Sequence, residues 1–152
     1  MYILKTEATF DSAHFLKGYE GKCSNIHGHC WKLVVSAAGN NLIESGCKKG
    51  MLIDFGDLKK TVRALAESYD HTLIIEKGSL CDITLQALAG EGFSITELPF
   101  RPTAENLAKH FYKILQGEGI PVCSVAVYET AENCAVYEED QNVPNNGKIH
   151  KH

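Results

Sequence analysis

Residues 2 to 14 alternate between apolar and polar positions, with Leu4, Ala8 and Phe10 on one side and Lys5, Glu7, Thr9 and Asp11 on the other. Successive side chains of a strand point to opposite faces, so this period of two predicts a long half-buried strand. Gly18, Gly21 and Lys22 mark residues 17 to 25 as a loop. Alternation resumes from His27 to about Ala38, with Trp31, Leu33 and Val35 on the same face as His27 and His29, and Gly39-Asn40-Asn41 signals a turn. The run from Gly50 to Phe55 reads as a short apolar strand. The period then changes: Leu58, Val62, Leu65 and Tyr69 recur at helical spacing, with Asp57 at the positive end of the dipole. Ser79 to Leu88 is predicted as a short helix, broken by Gly90-Glu91-Gly92. A second clear helix follows Thr103, a good N-cap; Leu107, Phe111 and Leu115 are its stripe, and Gly117 and Gly119 end it. Val122 to Glu129 and Cys134 to Tyr137 read as closing strands around a turn at Ala131 to Asn133.

This order predicts an α+β fold, an antiparallel sheet with two helices packed on one face. Residues 1–138 are expected to form a single domain, and the polar stretch 139–152 a disordered tail. The other sheet face is also apolar in the last two strands, which predicts burial against a partner subunit. A net charge of −4 carries no basic signature and argues against nucleic-acid binding. The apolar runs are too short to span a bilayer, and Met1 to Glu7 lack the form of a signal peptide, so a cytoplasmic protein is expected. Six cysteines without framework spacing are then expected as buried small hydrophobes, Cys123 and Cys134 above all. Cys23 departs from this, since Lys22, Ser24 and Asn25 around it are polar.

The candidate chemistry begins with Cys23-Ser24-Asn25-Ile26-His27-Gly28-His29. Two residues apart at a strand end, His27 and His29 share a face and can reach one metal ion. His14 shares parity with Ala8, Phe10 and Ser12, and antiparallel pairing of the two strands would bring it to the same place. Three imidazoles with an open fourth position match a catalytic zinc site, although nickel, copper or iron also accept such ligands. Cys23 is open to three readings: a fourth ligand closing a structural site, an inert loop thiol, or a thiolate activated as base or nucleophile. In Asp70-His71, the acid either orients a proton-exchanging imidazole or the pair only ends a helix. Glu129 ends an apolar strand, where it is either solvated or accepts two N–H donors from a heterocycle edge.

Taken together these residues resemble the 6-pyruvoyltetrahydropterin synthase superfamily. The matching pieces are Phe10-x-Ser12-Ala13-His14, Cys23-x3-His27-Gly28-His29, Gly50 to Lys59, Asp70-His71, Pro102 to Leu107 and Tyr128-Glu129-Thr130, in family order. The three residues between Cys23 and His27 resemble the 6-carboxytetrahydropterin synthase branch. The resemblance implies the tunnelling fold, with sheets joining into an oligomeric barrel, usually a homohexamer with intersubunit active sites. It implies zinc on His14, His27 and His29, proton transfer by Cys23, Asp70 and His71, and a pterin anchored by Glu129 beside Thr103 and Glu105. The implied substrate is 7,8-dihydroneopterin triphosphate, on the route to queuosine and related 7-deazapurines. A pyruvoyl-type lyase and a non-catalytic zinc-stabilised oligomer are the alternatives. Three places depart from the family pattern: Thr72 to Ile75, where an Asn usually follows the Leu, the long stretch Glu76 to Pro99, and Cys30.

Overall fold

The computed structural model describes residues 1–139. Its centre is a hairpin of two 13-residue strands, β1 (Tyr2–His14) and β2 (His27–Gly39), paired in register from Tyr2↔Gly39 to His14↔His27. Phe10 lies opposite Trp31 and Ala8 opposite Leu33, so the apolar positions of both strands share one face. β5 (Val122–Tyr128) extends that face along β2, with Val125 opposite Val35 and Val127 opposite Leu33, and β6 (Cys134–Glu138) follows antiparallel.

Two helices cover this face. α1 (Phe55–Glu67) buries Leu58, Val62, Leu65 and Ala66. α3 (Ala104–Gly117) buries Leu107, Ala108, Phe111, Tyr112 and Leu115. Both stripes meet Phe10, Trp31, Leu33, Val35, Val125 and Val127 in one core. Burial of this kind stabilises each large side chain by about 1.5–3 kcal/mol. Phe10 stacks on Trp31 at 6.0 Å and meets Phe111 edge-on at 6.0 Å, so the aromatic centre lies directly below the strand ends that carry the histidines.

The expected antiparallel plan holds for β1, β2, β5 and β6, and the sequence order adds a second part. Residues 73–98 form β3 (Leu73–Glu76), α2 (Asp82–Gly90) and β4 (Ile95–Leu98). β3 runs parallel to β1 and β4 parallel to β3, giving a mixed sheet of order β4-β3-β1-β2-β5-β6 and a third helix. α2 buries none of its residues. The strand expected at Gly50 to Phe55 is absent. Asp54 accepts hydrogen bonds from Gly56 N at 2.6 Å and Asp57 N at 3.4 Å, so the chain enters α1 at Phe55.

The five cysteines other than Cys23 are not buried as expected: Cys123 is half-buried and Cys30, Cys47, Cys81 and Cys134 are exposed, while Cys23, set apart by its polar neighbours, is half-buried. Cys123 falls at a register shift, where Ser36 pairs with Ser124 but Ala37 with Val122, so Val122 takes the core position. Cys134 pairs with Tyr128, whose parity points away from the helices. Among the described residues no helix is long and apolar enough to cross a membrane. The tail expected to be disordered lies, from residue 140 on, outside the described residues.

Candidate metal centre

The β1–β2 register alone assembles the histidines. His14 stands opposite His27 and Ser12 opposite His29, on the face that carries Phe10 and Trp31. The three rings lie with centroids 4.6, 5.2 and 4.9 Å apart. Trp31, fully buried, meets His14 and His29 edge-on at 4.9 and 5.2 Å. Glu129 follows Val125 and Val127 in parity, which brings its Oε1 to 3.2 Å from His29 Nε2. One donor atom from each of His14, His27, His29 and Glu129 lies within 4.8 Å of all the others. Four donors bound tetrahedrally at about 2.1 Å would lie about 3.4 Å apart, so small side-chain adjustments suffice.

The hydrogen bonds fix which ring nitrogens face inward. His14 Nδ1 donates to the Pro102 carbonyl at 2.8 Å, and His27 Nδ1 donates to the Asn25 carbonyl at 2.7 Å. A carbonyl only accepts, so in the neutral rings both Nε2 atoms carry lone pairs. Those atoms face each other at 3.0 Å. Two lone pairs at that distance repel unless a cation lies between them. Among the described residues buried His29 Nε2 has no hydrogen bond, although Glu129 Oε1 lies 3.2 Å away. Burial pushes His14 and His29 below the usual imidazole range, against the Pro102 carbonyl and the Glu129 charge that favour protonation. Neutral imidazoles with inward lone pairs, oriented by carbonyls behind them, fit a divalent metal better than a lone proton.

The remaining residues stand around this group. Cys23 lies in a short 3-10 turn (Lys22–Ser24) of the loop joining the two histidine strands, and its thiol is not part of the donor group. Glu129, rather than Cys23, is therefore the residue placed to close the site. Thr103 caps α3 by accepting from Asn106 N at 3.3 Å, directly after the Pro102 that orients His14. Glu105 is exposed in the first turn of α3.

Asp70 and His71 form a dyad, with His71 Nδ1 donating to Asp70 Oδ2 at 2.8 Å. The backbone of Asp11 clamps both. Its N–H donates to Asp70 Oδ1 at 2.7 Å, and its carbonyl accepts from His71 N at 2.6 Å. This holds His71 at φ 56°, a left-handed conformation uncommon outside glycine. His71, Gly28 and His29 border one open apolar cleft of about 640 Å³, walled by Ile26, Leu88 and Phe93. His71 thus faces the same cleft as the histidine strand, and neither residue of the dyad joins the donor group. The two orienting carbonyls and the Asp11 clamp are backbone groups, and no residue type in the sequence announces them.

The Asp70 carboxylate holds His71 above the usual imidazole range, chiefly through the hydrogen bond. Removing that charge in Asp70→Asn is expected to shift the His71 midpoint to lower pH, so that the ring loses its proton earlier as pH rises. An NMR titration of the His71 ring proton reads this directly; an unmoved midpoint would show that Asp70 does not hold the proton.

Fold and site together define a tunnelling-fold protein with a three-histidine, one-carboxylate donor group at the end of its central hairpin. A family model described as 6-pyruvoyl tetrahydropterin synthase matches residues 3–140. The chain belongs to that family. It is 38% identical over 145 residues to the 6-carboxy-5,6,7,8-tetrahydropterin synthase of Haemophilus influenzae, covering 91% of this chain and 100% of that one. It is 34% identical over 130 residues to the Aquifex aeolicus protein of the same name, covering 78% and 77%. The fold is also that of an uncharacterised protein of Wolinella succinogenes, with a TM-score of 0.74 at 22% identity, covering 91% of this chain and 98% of that one. Caenorhabditis elegans 6-pyruvoyl tetrahydropterin synthase shares it with a TM-score of 0.60 at 23% identity, covering 92% and 98%.

Proposed function

We propose that the protein is a zinc-dependent 6-carboxy-5,6,7,8-tetrahydropterin synthase. It would convert 7,8-dihydroneopterin triphosphate and water to 6-carboxytetrahydropterin, acetaldehyde and triphosphate, in the cytoplasm, for queuosine and other 7-deazapurines. The observation that carries the reading is the 3.0 Å approach of His14 Nε2 and His27 Nε2, each ring held from behind by a carbonyl at Nδ1, beside the orphaned Nε2 of His29. The names of the relatives supply the product, and the substrate follows from the family resemblance.

In this reading His14, His27 and His29 hold the zinc. When bound, the ion supplies Lewis acidity toward side-chain oxygens of the substrate, which acidifies the adjacent C–H bonds. Cys23 takes a proton from carbon on one side. His71, fixed by Asp70, moves a proton on the other. Glu129 accepts the two N–H donors of the 2-amino-4-oxo edge of the pterin, with Thr103 and Glu105 beside it. Proton transfers of this kind drive tautomerisation, triphosphate elimination and carbon–carbon cleavage without a redox cofactor.

The assembly expected is a homohexamer with active sites between subunits. Two features support it. Among the described residues β4 and β6 end the sheet with unpaired outer edges, and the His71 side chain is 78% exposed, open to a neighbouring copy. A second reading, a non-catalytic zinc-stabilised oligomer, draws on Glu129, whose carboxylate stands where a fourth ligand would.

The test is product analysis of the zinc-loaded protein with dihydroneopterin triphosphate. Acetaldehyde is expected in equal amount to 6-carboxytetrahydropterin. Triphosphate release without acetaldehyde would place the protein with the pyruvoyl-type lyases, and no turnover would favour the structural oligomer.

A further inference from the structure

We propose that Arg101 is a positioning residue that ties the thiol loop to the metal cluster. This rests on the reading of Cys23 as the proton-transfer thiol. The loop, residues 15 to 26, leaves the hairpin at His14 and re-enters it at His27. It is closed across its base by Leu16 N donating to the Cys23 carbonyl at 2.9 Å, and is otherwise largely exposed. From outside the loop, the Arg101 guanidinium donates to the Lys17 carbonyl. The same guanidinium lies 3.7 Å from the position a Cβ would take on Gly18, whose φ of 79° is a glycine conformation. Arg101 thus meets the loop at two successive residues, Lys17 and Gly18.

The backbone on either side of that side chain is itself anchored. The Arg101 carbonyl accepts from Thr103 N at 2.8 Å and from Asn106 Nδ2 at 3.0 Å, fixing it to the start of α3. The next carbonyl, that of Pro102, is the one that sets the His14 tautomer. Two adjacent residues therefore fix two partners. The Pro102 backbone holds a metal ligand, and the Arg101 side chain holds the loop that carries the thiol. Removing the side chain frees the second and spares the first. Small displacements of a reacting group are costly, about 10²-fold for 1 Å.

The test compares wild type, Arg101→Ala and Arg101→Lys, all zinc-loaded. Alkylation of each cysteine by iodoacetamide is followed by mass spectrometry, with zinc content and steady-state kinetics alongside. In Arg101→Ala, Cys23 is expected to alkylate several-fold faster while exposed Cys47 is unchanged, with zinc retained. Turnover is expected to fall about 10- to 100-fold at near-constant KM. Arg101→Lys keeps a donor for the Lys17 carbonyl and is expected to restore most of both readouts. An unchanged Cys23 rate, an equal rise at Cys47, loss of zinc, or no rescue by lysine overturns the proposal. If wild type does not turn over this substrate, the proposed function fails, while the alkylation rates and zinc content still decide the role of Arg101.

Discussion

Cys23→Ala is expected to lower turnover of dihydroneopterin triphosphate by about 10²–10⁴-fold, the range lost with a positioned proton-transfer group. Zinc content is expected to stay at the wild-type level, because the thiol stands outside the group of four donors. The two measurements belong together: kcat at saturating substrate, and zinc per chain by atomic emission. The loop explains why the effect falls on turnover. Cys23 is held by backbone contacts, its carbonyl accepting from Leu16 N and its neighbour Ser24 N donating to the Gly21 carbonyl. Alanine keeps all of these, so the variant loses a sulfur without losing the turn. Parallel loss of zinc would instead make Cys23 a ligand and turn the site into a structural one.

The parts of the fold legible in the sequence are those where periodicity and burial agree. β1 and β2 alternate because one face lies on the core, and the stripes of α1 and α3 are the residues buried on the sheet. In the stretch 73–98 the helix expected at Ser79 to Leu88 forms as α2, but its flanking strands were illegible for the opposite reason. β3 and β4 have only four residues each, too few for alternation to show. α2 buries nothing, so no stripe fixes its bounds, and it starts three residues later and runs two residues further than expected. At Gly50 to Phe55 the apolar run suggested a strand, but the Asp54 carboxylate caps a helix there, and local cap chemistry outweighed composition. Cys123 misled because a strand read in strict alternation has no place for a bulge.

The site was legible as far as side chains on regular strands determine it. Parity placed His27 and His29 on one face, and the hairpin register put His14 opposite His27. Parity along β5 also points Glu129 at the same face, yet its approach to His29 follows from the β2–β5 register, which the sequence does not state. The orienting carbonyls of Pro102 and Asn25 and the clamp of Asp11 on the dyad are backbone contacts between segments distant in sequence. Any residue type could supply them, so only the structure reveals them.

Glu129→Gln is expected to weaken pterin binding and lower kcat/KM by about 10²–10⁴-fold, while zinc affinity changes little. The size follows from two hydrogen bonds to a charged acceptor, about 1.5–3 kcal/mol each, at tenfold per 1.4 kcal/mol. Glutamine keeps the shape of the carboxylate but replaces one acceptor with an N–H donor, which would face an N–H of the heterocycle and leave both unpaired. The competing role predicts the reverse pattern. If the carboxylate beside His29 is the fourth metal ligand, its amide binds zinc poorly, and zinc affinity falls while a pterin loses little. Competition against a chromophoric chelator measures the first quantity, and fluorescence titration of the zinc-loaded variant with a pterin measures the second. Among the described residues His29 Nε2 makes no hydrogen bond, to Glu129 or to any other group, so a rotation of the Glu129 side chain away from the imidazoles costs the cluster no hydrogen bond. That freedom lets one carboxylate stand near the metal ligands and still turn to meet a substrate. Loss of zinc in Glu129→Gln, with pterin binding preserved, would remove the open coordination position on which the proposed chemistry depends.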